Sequence, residues 1–188
     1  MLSAKSVIPE CNIDSCLFNV LLGFEKEGVN HTKGNTTVTA KIENKFKNLF
    51  CLAVIDKDKR DLEYIKRNFD KLEELGDEDY FRLFRSCKGN HHYIIQMVPV
   101  IETWIINTAS ALNIEMRDFG INASNVIELK PITKTVTSKR DKRFEKLFKA
   151  FIKKATEQNF VPLLHLQNVA KVILEKNYNL DINELTNG

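Results

Sequence analysis

Seven apolar residues, Leu49 to Ile55, run without a break and stop at Asp56-Lys57-Asp58. A run of that length suits a β-strand. Because it does not alternate with polar residues, both of its faces must be buried, as in the middle of a parallel sheet covered by helices on each side. Open α/β sheets keep their sites outside the carboxyl ends of such strands. Two carboxylates placed there repel one another unless a cation or a basic partner lies between them. Hard divalent cations are held by one or two carboxylates, with water completing the shell. Asp56 and Asp58 are therefore candidate metal ligands. Acidic residues after a strand also serve as turn formers and helix N-caps, and that reading stands beside the first.

The 188 residues are enough to bury a core without disulfides or a structural metal. A net charge of +3 is too small to announce nucleic-acid binding, but its distribution is uneven. Residues 61–79 are mainly acidic and residues 134–154 strongly basic, an asymmetry that can steer a polyanion to one face or can simply be two solvated helix faces. Cys11, Cys16, Cys51 and Cys87 form no CxxC pair, and Cys51 lies in the core run, so reduced thiols and a cytoplasmic setting are expected. The first residues carry too short an apolar run for a secretory leader, and no stretch reaches the length of a membrane span.

Taken in order, Ala4–Ile8 is expected to be a strand ending at Pro9-Glu10. A helix capped by Asn12 or Asp14 follows, with Cys16, Leu17, Val20, Leu21 and Phe24 at helical spacing and Gly28 closing it. Thr36–Ala40 is β-branched and predicts a second strand, with a brief helix over Ile42–Lys47. After the central strand, Leu62, Ile65, Phe69 and Leu72 predict an amphipathic helix over Arg60–Leu75. Strands are expected at Tyr80–Arg85 and His91–Val98, and a helix at Val100–Leu112 with Ile101, Trp104, Ile105, Thr108 and Leu112 facing in. Glu102 stands in its first turn, where the helix dipole favours negative charge. Val126–Leu129 reads as a short strand or extended segment. A basic helix over Thr137–Ala155 and a second over Pro162–Lys176 complete a helical hairpin. The expected architecture is α/β: a mostly parallel sheet flanked by helices over residues 1–113, and a helical extension over 114–188 packed on it.

On this scheme Glu10 follows the first strand and Asp56 and Asp58 follow a later one, so all three carboxylates emerge at one edge. A lone glutamate after a strand, a capped helix, and an apolar strand ending in Asp-x-Asp resembles the Toprim family of topoisomerases, primases and overcoming-lysogenization-defect nucleases. The likeness extends to small bacterial Toprim-like proteins of bacteriophage defence or mobile elements, in which a proline and a Glu-x-Trp helix follow a later strand. Pro99, Glu102 and Trp104 stand in that place here. The resemblance implies a Toprim/Rossmann-like sheet and an Mg²⁺ (or Mn²⁺) site for phosphoryl transfer. Glu10 would be acid/base or ligand, Asp56 and Asp58 would be ligands, and Glu102 a further ligand. Asp14 matches a polar residue a few positions after the glutamate. Family members usually have a glycine after the glutamate; this chain has Cys11 there and Pro9 before it.

The function expected on that resemblance is a metal-dependent nuclease acting on nucleic acid. Lys57, Lys59 and Arg60 flank the aspartates and can contact phosphate or neutralise the carboxylates. Lys139, Arg140, Lys142 and Arg143 can bind a sugar-phosphate backbone. A non-catalytic module on the same fold, binding nucleic acid or a protein partner, is the alternative. His91 and His92 are adjacent on a strand and point to opposite faces, so they are poorly placed to share an ion. The lack of a Walker A sequence or GxGxxG leaves a P-loop or dinucleotide role without support.

Overall fold

The computed structural model describes residues 3–57, 63–72, 80–89, 91–182 and 185. Its centre is a five-stranded mixed sheet in the order β1-β2-β5-β4-β3. The strands are β1 (Val7–Pro9), β2 (Cys51–Asp56), β3 (Phe69–Lys71), β4 (Phe81–Ser86) and β5 (His92–Met97). β1, β2 and β5 run parallel, with Val7 opposite Leu52 and Asp56 opposite Met97. β4 and β3 close the far side antiparallel. The apolar run is the centre of this arrangement: Cys51 to Ile55 are all buried, with a parallel neighbour on either side.

The pleat sorts its side chains into two cores. Leu52 and Val54 join Val7, Tyr93, Ile95 and Met97 beneath α1 (Asn12–Leu22), α4 (Ile101–Ala111), α6 (Lys142–Gln158) and α7 (Val161–Lys176). Cys51, Ala53 and Ile55 join Ile8 and Ile94 beneath α2 (Asn35–Asn44) and α3 (Glu63–Asn68). The first core is continuous from β1 into α7, with Phe144, Phe148 and Phe151 of α6 fully buried and Phe151 against Trp104 of α4. The helical hairpin is thus built into one wall of the sheet. Among the described residues, no helix is long and apolar enough to cross a membrane.

Several elements differ from expectation, each for a packing reason. Thr36–Ala40 is helical, within α2: Val38 and Ile42, four apart, seat on the sheet, and this burial overrides the β preference of the threonines. Asp56 therefore ends the second strand, not the third. Of the expected Arg60–Leu75 helix, the described residues show α3. The chain then extends into β3, where Phe69 pairs with Ser86 while its ring stays in the core with Ile65; residues 60–62 and 73–75 lie outside the described residues. Val126–Leu129 opens a helix, α5 (Val126–Thr133), because Asn125 Oδ1 caps the Glu128 amide at 3.1 Å and Leu129 and Thr133 pack inward. The basic helix begins at Lys142, capped by Asp141, after a 3₁₀ turn over Val136–Arg140.

The helix after β1 is capped by neither Asn12 nor Asp14 alone. Cys11 Sγ accepts from the Asp14 amide, and Asp14 Oδ2 accepts from the Cys11 amide, a capping box with a thiol in the usual serine position. Gly23, at φ +72°, ends the helix five residues before Gly28.

Because α6 completes the larger core, Phe148→Ala is expected to cost about 3–5 kcal/mol in urea unfolding. The exposed Lys146→Ala on the same helix is expected to leave the midpoint unchanged. One cooperative transition for both variants is the expected trace; two would mean that the hairpin unfolds independently.

Candidate functional site

The three parallel strands bring their carboxyl ends to one edge, where α1 and α4 begin. Glu10 follows β1 there, and its amide still belongs to the ladder, donating to the Val54 carbonyl at 2.9 Å. Its carboxylate turns toward β2, and Oε2 accepts from the Asp56 amide at 3.0 Å. Asp56 shares the pleat face of Leu52 and Val54, so it points toward α1 and α4. Its Oδ1 accepts from the Ile101 amide, the first residue of α4, at 2.9 Å. Glu102, next in α4, is buried and accepts from Thr133 Oγ1 at 2.7 Å. Asp14 sits in the first turn of α1 with no exposed surface. One of its oxygens serves the capping box, and the other, Oδ1, is buried without a hydrogen-bond partner.

These carboxylates feel one another. Burial raises the pKa of Asp56 far above the ordinary carboxylate range, and the charges of Asp14, Glu10 and Glu102 push it further up, against the lowering effect of the Ile101 amide. Asp14 is raised chiefly by burial, with Glu10 and Glu102 adding to it and the hydrogen bonds from Cys11 opposing. The Cys11 thiol is pushed up by burial and by Asp14, which makes it a cap and not a nucleophile. Among the described residues, no lysine or arginine forms an ion pair with Asp14, Asp56 or Glu102. The donors are all hard oxygens, the chemistry that Mg²⁺ and Mn²⁺ prefer. Among the described residues, no group of three or more Asp, Glu, His or Cys side chains is placed to hold a metal ion. Asp58, Lys59 and Arg60 lie outside the described residues.

The other sequence candidates divide. Lys57 follows Asp56 at the alternate register position, with its amide donating to the Met97 carbonyl. Arg143 is committed to Asp141, with Nη2 2.7 Å from Oδ2, and to the Gly120 carbonyl. Lys142 pairs with Glu145 at 2.6 Å. Lys139 and Arg140 form no ion pair with a described residue and line a cleft of about 240 Å³ beside α1. His92 is buried, with Nε2 at 2.8 Å from the Phe46 carbonyl, and His91 packs edge-on against Tyr178, so the two do serve different surroundings.

Asp14, which matches a polar residue after the glutamate in the Toprim resemblance and is also expected as a cap, is both: it belongs to the acidic group and closes the capping box with Cys11. One further feature was not legible in the sequence. His31 comes to the same edge because residues 29–34 run alongside β1, with the amides of Asn30, Thr32 and Gly34 donating to the carbonyls of Val7, Pro9 and Glu10. Nothing local in the sequence announces that path. Compared with protein-family models, with curated proteins and with solved structures, the chain matches none.

Asp56 has a folded-state pKa above its unfolded value, so the folded protein holds an extra proton between the two. Stability conferred by that protonation is present at low pH and lost as pH rises. Asp56→Asn keeps the acceptor for the Ile101 amide and removes the charge. It is expected to raise the melting temperature of the metal-free protein at pH ~8 and to leave it nearly unchanged at pH ~4. Equal shifts at both pH values would mean that Asp56 is not held up in pKa.

Proposed function

We propose that this chain is a Toprim-like, Mg²⁺- or Mn²⁺-dependent phosphoryl-transfer enzyme, a nuclease acting on nucleic acid. The observation that carries the reading is the gathering of Glu10, Asp14, Asp56 and Glu102 at the carboxyl edge of three parallel strands, with Asp14 Oδ1 buried and partnerless. A buried acceptor with no donor is costly, and a cation removes that cost together with the mutual repulsion. The three-strand parallel core with a glutamate after β1 and Asp56 ending β2 supports a Toprim-like topology.

In this reading Asp56, with Asp58 beyond it, holds the metal, and Glu10 and Glu102 complete or orient the shell. The bound cation would polarise the phosphate and stabilise charge on the leaving oxygen. Glu10 assists proton transfer as a water oxygen bonds to phosphorus and the ester P–O bond breaks. One water proton passes to a carboxylate, and the leaving oxygen is protonated in turn. The α1 and α4 N-termini add positive potential at the same edge.

The test is calorimetric titration of Mg²⁺ and Mn²⁺ into the wild type and Asp56→Ala/Asp58→Ala, followed by assay on single- and double-stranded DNA and RNA. The wild type is expected to bind metal and cleave; the variant is expected to lose binding and at least ~100-fold in cleavage. Metal binding without cleavage would assign the fold to a regulatory binding module. Cleavage retained by the variant would reject the mechanism.

A further inference from the structure

Beside the acidic edge, Lys41 and Lys139 lie near His31, and neither forms an ion pair with a described residue. Ser15 Oγ donates its hydrogen to the Cys11 carbonyl at 2.8 Å, so in the 3.2 Å contact with Ser15 the donor is His31 Nδ1. The neutral ring then carries its lone pair on Nε2. Burial lowers the imidazole pKa, the Cys11 backbone opposes this, and the charges of Lys139 and Lys41 lower it further. Lys41 Nζ donates to two neutral oxygens, Asn30 Oδ1 at 3.3 Å and the His31 carbonyl at 3.2 Å, and forms no ion pair with a described residue. Lys139 is held near by the segment that follows α5, which is tied to α1 where Asn12 Nδ2 donates to the Thr135 carbonyl.

Lys139 also lines the cleft beside α1, together with Asn19, Lys26, Arg140 and Lys142. The two carboxylates of that cleft are engaged: Glu25 with Lys149 at 3.0 Å, and Glu145 with Lys142 and Lys149. Lys26, Lys139 and Arg140 form no ion pair with a described residue. Lysines crowded without counter-charge repel one another, and the arrangement is relieved when an anion sits among them.

We propose that His31, Lys41 and Lys139, continued by Lys26 and Arg140 in the cleft, form a phosphate track that seats the sugar-phosphate backbone of a nucleic acid alongside the acidic edge. The track rests on the preceding functional reading for what the seated strand is presented to, but its binding chemistry is independent of any metal. Cys11 and Ser15, which hold His31, flank Asp14 in the chain, so the track and the acidic group share one short stretch of backbone.

The test uses the full chain in EDTA, so that failure of the metal site leaves the readout untouched. A fluorescein-labelled oligothymidylate is titrated by anisotropy at several salt concentrations, and the His31 imidazole is followed by NMR. Lys139→Gln/Arg140→Gln, both outside the acidic group, is expected to weaken binding at least ~10-fold and to flatten the log–log salt slope by about 1.4, the value for two phosphate contacts on a single strand. Lys153→Gln, on α6 away from the cleft, is expected to bind as the wild type does. His31 resonances are expected to move with the oligonucleotide and its pKa to rise. Unchanged affinity in the double variant, or stationary His31 resonances, would overturn the proposal. So would inorganic pyrophosphate binding as tightly as the oligonucleotide, which would mark a subsite for free phosphates. Metal titration of the same double variant, expected to match the wild type, separates this outcome from that of the acidic site.

Discussion

The burial of β2 on both faces is the constraint on which the rest depends. Cys51 to Ile55 are in contact with helices above and below and with a parallel strand on each side. A strand so enclosed cannot slip in register, because one step would exchange its two apolar faces and carry Asp56 into the sheet. The position of Asp56 is therefore decided by its neighbours. Its amide is bound by Glu10 and its carboxylate by the first amide of α4, so two of its polar groups are satisfied by the elements that lock the strand.

That same enclosure creates the electrostatic problem at the edge. A helix N-terminus stabilises a nearby carboxylate by about 0.3–1 kcal/mol, whereas removing an ion from water costs several kcal/mol. Burial wins, which is why it is the largest cause of the raised pKa of both Asp56 and Asp14. The opposite imbalance stands beside the acidic edge in space, where Lys41 and Lys139 lie near His31 and form no ion pair with a described residue. Each arrangement would be relieved by a ligand of opposite charge, a cation among the carboxyl groups and an anion among the lysines.

Continuous apolar stretches and their abrupt ends were readable because burial on two faces leaves no freedom of pattern. β2, β5, α4 and α7 follow from that, and so does the shared edge of Glu10 and Asp56. Short elements were not readable in the same way. Val38 and Ile42 fit a helix and their threonine neighbours fit a strand; the choice fell to the pocket beneath them. Phe69 fits the stripe of a longer helix, yet pairing with β4 draws the chain out while the ring stays buried. At the acidic edge, Asp14 could be read as a cap, but its orphaned oxygen could not be foreseen, because that depends on what α4 and β2 place around it.

The sequence by itself determined a buried parallel strand ending in carboxylates, an α/β layering, and a basic hairpin, because hydrophobic periodicity and charge runs are local properties. Only the tertiary structure decided which charges meet. Glu102 comes within electrostatic reach of Asp14 and Asp56 because α1 and α4 start at the same sheet edge. Lys41, from α2, and Lys139, more than ninety positions further along the chain, flank His31 because the 29–34 stretch runs beside β1 and the segment after α5 returns to α1. Coulomb interactions follow distance in space, and that distance is set by packing, not by position in the chain.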